Sequence, residues 1–154
     1  MKNYLIIIII IIATFAYSCG TDQGGEKNYD YSIVNSSGVK VELIPTLNGV
    51  KSLERKIILE NRTVFNKKHT DYPIYTSPLN IPSIFSDFGK QGIITHLEIT
   101  FNNTKIIIYS ECPDFICSNV KNIFHYKNND NQTEVYTITA EDYQNAIDCG
   151  GNCN

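Results

Sequence analysis

Short runs in which apolar and polar residues alternate constrain the fold of this chain most. In 29–33 and in 39–43 an apolar side chain occupies every second position, which places the apolar set on one face of an extended strand. β-branched and aromatic residues favour strands, and the Asn, Gly and Pro residues between the runs favour turns. Comparable runs occur at 29–33, 39–43, 53–60, 93–101, 104–110 and 134–139.

This spacing predicts a mainly β domain of six to eight short strands with one short C-terminal helix. An antiparallel β-sandwich, preferably immunoglobulin-like, or an open barrel accommodates such strands. We expect the first two runs to pair as a hairpin around 35–38. The Pro- and Gly-bearing stretch 61–91 indicates loops and short edge strands.

The stretch 93–110 makes the sharpest local prediction. Its two halves flank Asn102-Asn103, and two Asn residues suit a type I′ turn because both central positions need positive φ. The resulting register pairs Ile99 with Ile106. It also pairs Leu97 with Ile108, so that apolar residues meet on one face.

Two helical signals follow. Val120, Ile123 and Phe124 have the spacing of one or two helical turns. The sequence 139–142, Thr-Ala-Glu-Asp, resembles a capping box that opens a short helix containing Tyr143 and Ile147, which Gly150 would end.

The N-terminus has the features of an export signal. Lys2 precedes a thirteen-residue apolar run, Leu5–Tyr17, and small residues precede Cys19. A membrane span needs roughly 20 residues, so this run is the length of a signal h-region instead. The expected organisation is a signal peptide over 1–18, a lipidated Cys19 with a flexible tether over 19–28, and a β-rich domain over 29–154.

Residues 16–19, Ala-Tyr-Ser-Cys, resemble a bacterial lipobox, with Ala16 where Leu is usual. The segments 31–38 and 138–146 are similar to those of small Gram-negative lipoproteins of uncharacterised function from AT-rich genomes. The resemblance implies acylation of Cys19, as in palmitate-bearing lipoproteins, and a place in the cell envelope, at the outer membrane. Secretion after ordinary signal cleavage is the alternative.

Charge disfavours a nucleic-acid partner. Loss of Lys2 with the signal leaves 12 Lys and Arg against 16 Asp and Glu, a formal charge of −4. Phosphate neutralisation requires clustered cations, and the densest basic cluster here, 67–69, is short. The expected partners are therefore the membrane, through the lipid, and a protein or glycan.

Four cysteines remain after Cys19. Cys112, Cys117, Cys149 and Cys153 allow three disulfide connectivities, and an exported chain favours disulfides. A Cys₄ zinc site is the weaker alternative, since the spacings are loose. No metal or cofactor is expected.

The chain contains no nucleophile motif of a known hydrolase. A small periplasmic or surface hydrolase remains the enzymatic alternative, with His69 and Asp71, or His96 and Glu98, as its acid–base groups. It requires these groups to meet in one cleft. The sequence therefore favours a non-enzymatic structural or interaction domain whose ligand it does not name.

Overall fold

The computed structural model describes residues 26–71, 80–86, 92–112, 117–128 and 132–153. In these ranges the chain forms nine strands, one α-helix and three 3₁₀ segments. The strands are β1 (Lys27–Ser36), β2 (Val41–Leu47), β3 (Val50–Lys51), β4 (Ile57–Leu59), β5 (Val64–Asp71), β6 (Ile94–Phe101), β7 (Lys105–Ser110), β8 (Thr133–Thr139) and β9 (Ile147–Asp148). The helix is α1 (Ala140–Asn145), and the 3₁₀ segments are Leu53–Arg55, Ile81–Phe85 and Tyr126–Asn128.

The strands form two sheets. The small sheet has the order β5-β1-β8, and the large sheet has the order β3-β2-β6-β7-β9, with β4 also paired to β2. All pairings are antiparallel except that of β1 with β8. The predicted mainly β class, an open two-sheet arrangement with a short C-terminal helix, is confirmed.

One hydrophobic core lies between the sheets. The small sheet contributes Tyr31 and Ile33, and the large sheet contributes Leu43 and Leu97, all completely buried. The inward positions occupy every second residue of β1, as the alternation predicted. The 3₁₀ segment Ile81–Phe85 adds buried side chains to the same core, and its contribution was not predicted.

The predicted hairpin of the first two runs is wrong, because β1 and β2 belong to different sheets. Asn35 directs the crossing between them. Its completely buried amide donates to the carbonyls of Val39, Leu59 and Glu60 at 2.7–3.1 Å, while its Oδ1 accepts from the backbone and hydroxyl of Ser37. Alternation shows which face of a strand is buried, and it leaves the partner strand undetermined.

The turn between β6 and β7 has the predicted backbone. Asn102 and Asn103 both have positive φ, 48° and 57°. The Thr104 amide donates to the Phe101 carbonyl at 2.9 Å, but Phe101 then pairs with Lys105. Thr104 is therefore an extra residue in the connection, and it shifts the register by one.

The predicted register of this hairpin is consequently wrong. Ile99 lies opposite Ile107, not Ile106. Ile107 and Tyr109 pack on the core side, whereas Ile106 and Ile108 lie on the outer face. Three consecutive isoleucines make either register apolar, so the hydrophobic pattern alone does not choose between them.

Other local predictions are corrected or extended. Residues 53–55 form a 3₁₀ turn rather than part of a strand, and the edge strand within 61–91 is the eight-residue β5. Residues 72–79 and 87–91 lie outside the described ranges. The residues 120–124 form turns, not a helix.

The capping box of α1 is confirmed. Thr139 Oγ1 accepts from the Asp142 amide, and Asp142 Oδ2 accepts from the Thr139 amide at 2.7 Å. The helix ends at Asn145, so Ile147 belongs to β9 instead. Within the described ranges, no helix has the length and apolar character that crossing a membrane requires.

Candidate functional site

The four predicted disulfide cysteines pair locally. Cys112 bonds Cys117 and Cys149 bonds Cys153, with Cα–Cα distances of 5.2 and 5.3 Å. Each pair closes a short loop, so the cysteines do not form one four-thiolate cluster. Cys19, the predicted lipidation site, lies outside the described residues.

The loop of the second disulfide is fixed to the tip of the β6–β7 hairpin. Asn103 Nδ2 donates to the Gly151 carbonyl at 2.9 Å, and Asn103 Oδ1 accepts from the Cys153 amide at 3.3 Å. The Cys149 amide also donates to the Thr104 carbonyl at 2.9 Å. The tail is therefore held to the sheet by hydrogen bonds rather than by a long-range disulfide.

The candidate acid–base residues of a hydrolase lie on different sheets. His69 and Asp71 belong to β5 of the small sheet, and His96 belongs to β6 of the large sheet. Glu98, the proposed partner of His96, makes an ion pair of 2.6 Å with Lys51. The convergence that the hydrolase alternative requires is thus not found among these four side chains.

His125 is the third histidine of the chain. It is buried, and its Nδ1 accepts from the Lys127 amide at 3.1 Å. Across the described ranges, no three His, Cys, Asp or Glu side chains are arranged to hold a metal ion.

The most distinctive surface feature is the free edge of β7. β9 covers β7 only at Lys105 and Ile106. Over residues 107–110, no strand from the described part of the chain pairs with β7 on that side. A groove of about 510 Å³ runs along this edge, and its lining residues are Ile106–Cys112, Cys117–Asn119, Asn122, Asn145 and Ile147.

Backbone groups of β7 point into this groove. On the side away from β6, the Thr104 carbonyl accepts from the Cys149 amide and the Ser110 carbonyl accepts from Asn122 Nδ2, both at 2.9 Å. Alternate residues of a strand direct their backbone groups to the same side. Ile108 lies four residues after Thr104 and two before Ser110, so its N–H and C=O also face the groove.

The side chains of the groove are apolar or neutral with one exception. On the outer face, Ile108 is 56% exposed and Ile147 is 73% exposed. Asn119, Asn122 and Asn145 supply amide groups at the rim, and Glu111 is the one charged residue among these described lining residues.

A polar cluster fixes the 117–128 segment, part of which lines one wall of the groove. The Tyr136 hydroxyl donates to the Lys121 carbonyl at 2.7 Å, and Lys121 Nζ contacts Glu141 at 2.7 Å and Asp142 at 3.2 Å. Burial raises the pKa of Tyr136 well above its usual value, and the hydrogen bond from Lys121 to Glu141 raises the pKa of the lysine. Tyr136 is therefore neutral and Lys121 is cationic at neutral pH. The ion pairs of Lys121 with Glu141 and Asp142 tie the 117–128 segment to α1.

Two further contacts fix the groove. Asn122 accepts from the Phe124 amide at 3.0 Å while its amide group holds the Ser110 carbonyl. At the other end, Lys105 Nζ donates to the carbonyls of Tyr143 and Gln144 at 3.3 Å, which are C-terminal carbonyls of α1. The groove is therefore preformed at both ends.

The sequence pattern does not predict this groove. The apolar run 106–108 was visible, but the predicted register buried Ile106 and Ile108 and so concealed the outer patch. Comparisons with protein family models, with curated proteins and with solved structures find no match to this chain.

Proposed function

We propose that this chain is a lipid-anchored bacterial envelope protein whose β-sandwich domain is a non-enzymatic interaction module. In this proposal residues 1–18 are removed, Cys19 carries the acyl chains, and residues 20–26, which precede β1, tether the domain to the outer membrane. The observation that carries the interaction role is the open, apolar edge of β7, with the preformed groove beside it.

Two physical arguments support the proposal. Soluble sheets rarely leave an apolar strand edge uncovered, because it pairs readily with other chains. Two or more acyl chains anchor a protein stably, since each buried CH₂ contributes about 0.8 kcal/mol. A tethered domain with an open edge is suited to capturing another chain near the membrane.

Intact mass spectrometry of the processed protein tests the anchor. We expect a chain that begins at Cys19, carries acyl mass and is recovered with membranes. The Cys19→Ala variant should move to the soluble fraction, whereas Ser18→Ala should stay with the membranes. An unacylated wild-type chain in the soluble fraction would instead establish the secreted alternative.

Site-specific photo-crosslinking in intact cells tests the interaction role. A photoreactive residue in place of Ile108 should give a discrete adduct that is lost when Cys19 is replaced by Ala. The same residue in place of Val64, on the edge of the small sheet and 57% exposed, is the matched control. Equal adducts at both positions, or none at either, would contradict an interaction role for this edge.

A further inference from the structure

We infer that the β7 groove binds an extended peptide strand of another protein by β-strand addition, with an apolar residue opposite Ile108 and a basic residue beside Glu111. The inference rests on the proposed interaction function and names the chemistry of the partner.

The backbone supplies the first argument. The N–H and C=O of Ile108 face the groove, and β9 already pairs antiparallel with the preceding part of β7. A peptide strand in line with β9 would continue an interface that the domain has begun. In strand addition, backbone hydrogen bonds provide the affinity and side-chain pockets provide the selectivity.

The dimensions of the edge limit the length of the peptide. β9 blocks the edge at Ile106, and the Cys112–Cys117 disulfide lies at the other end of the groove. Four uncovered residues at about 3.4 Å each give an edge of about 14 Å. This length fits about four residues of extended chain, and a fifth would lie beside Glu111.

The side chains of the groove determine the composition and the direction of the bound peptide. Ile108 and Ile147 offer an apolar outer surface to β-branched residues, which suit strands. An antiparallel peptide places its N-terminal end beside Glu111, where a cationic side chain is favoured and a carboxylate is repelled.

The β5 edge of the small sheet makes a poorer site for such a peptide. β5 carries Lys67 and Lys68, and the Lys68–Asp30 ion pair of 3.2 Å lies across its outer surface. Inserting charges along an edge is a common way to prevent strand addition. The contrast favours β7 over β5.

Hydrogen exchange measured by mass spectrometry tests the inference on the processed protein in detergent. The probe is the capped peptide acetyl-Lys-Thr-Val-Ile-Val-amide, whose isoleucine would pair with Ile108 and whose lysine would lie beside Glu111. At a few millimolar peptide, since a short edge binds weakly, we expect exchange within 106–111 to slow by about fivefold.

Three matched changes make the test specific. Methylation of the isoleucine nitrogen of the probe, or replacement of its lysine by glutamate, should abolish or weaken the protection. Ile108→Lys should abolish it, while Val64→Lys should leave it unchanged. The exchange of the core strands β2 and β6 in the absence of peptide reports whether each variant is folded.

Several results would overturn the inference. These are no protection at 5 mM peptide, equal protection by the N-methylated probe, or protection lost in Val64→Lys. A dimer that dissociates in Ile108→Lys without any peptide effect would make a second copy the occupant instead. Acylation and in-cell crosslinking are measured separately. A peptide that gives no protection would therefore contradict this inference but not the proposed function.

Discussion

β5 and β7 each have an edge that other described strands leave wholly or partly unpaired, but the side chains on their outer faces differ in chemistry. On β5, Asn66 Nδ2 donates to Asp30 at 2.6 Å, and Lys68 pairs with the same carboxylate. On β7, the residues 106–110 carry no charge. One edge is thus protected by polar side chains, while the other is left available.

The comparison shows that charged and polar side chains protect the β5 edge but not the β7 edge. A charged edge discourages pairing with other chains, and an apolar edge with free backbone groups invites it.

The largest effect is expected from Asn35→Ala, which tests whether both edges belong to one cooperative unit. The change leaves three buried carbonyls without their donor, so the free energy of unfolding should fall by about 3–5 kcal/mol. Chemical denaturation measures it, and exchange in β5 and β7 should accelerate together. Asn28→Ala, at an exposed site, is the control and should cost less than about 0.5 kcal/mol. Acceleration in β5 alone would separate the two edges.

The second effect compares two neighbours on β7. Ile107→Ala removes core contacts and should cost about 1–3 kcal/mol, whereas Ile108→Ala should cost less than about 0.5 kcal/mol because that side chain is exposed. Denaturation midpoints give both values. A larger loss of stability in Ile108→Ala than in Ile107→Ala would indicate the register in which Ile108 is buried. The groove would then have no apolar patch at Ile108.

Replacing the charged residue on β5 by an apolar one, or the apolar residue on β7 by a charged one, should change the self-association of the protein. We expect Lys68→Ile to raise the association constant and Ile108→Lys to lower it, each by about two- to tenfold. Sedimentation velocity over a concentration series measures both. If neither variant departs from the wild type, charge is not what distinguishes the two edges.

The smallest effect concerns pH at the β5 edge. Hydrogen bonds from Asn66 and then Lys68 lower the pKa of Asp30 below its usual value. A carboxylate with a depressed folded pKa stabilises at pH above its unfolded pKa of about 3.9, and this contribution is lost as pH falls below that value. Exchange in β5, corrected for its intrinsic rate, should therefore rise below about pH 4 in the wild type and not in Asp30→Asn. An equal rise in β7 would show that the response is global.

Sequence reasoning succeeded where the signal was local. The capping box of Thr139 and Asp142 and the positive φ of Asn102 and Asn103 depend on neighbouring residues, and all were predicted. It failed where the partner is distant. The alternation in β1 fits a hairpin as well as a crossing between sheets, and the buried amide of Asn35 that decides the matter binds carbonyls 24 and 25 residues away.

The groove was missed for a related reason. Its position depends on one extra residue, Thr104, and on β9 being only two residues long. Neither has a compositional signal, since Thr is common in strands and Ile147 fits a helical spacing equally well. The cysteine pairing was likewise left open, because spacing alone permits three connectivities.

The parallel pairing of β1 with β8 sets the order in which this domain can fold. Asp30 lies beside Thr133, about a hundred residues later, so β1 remains without one neighbour until nearly all of the chain is present. The hairpin of β6 and β7 closes over a few residues and can form first. Completion of the small sheet must await a long loop closure, which makes it the expected slow step in the maturation of a newly made chain.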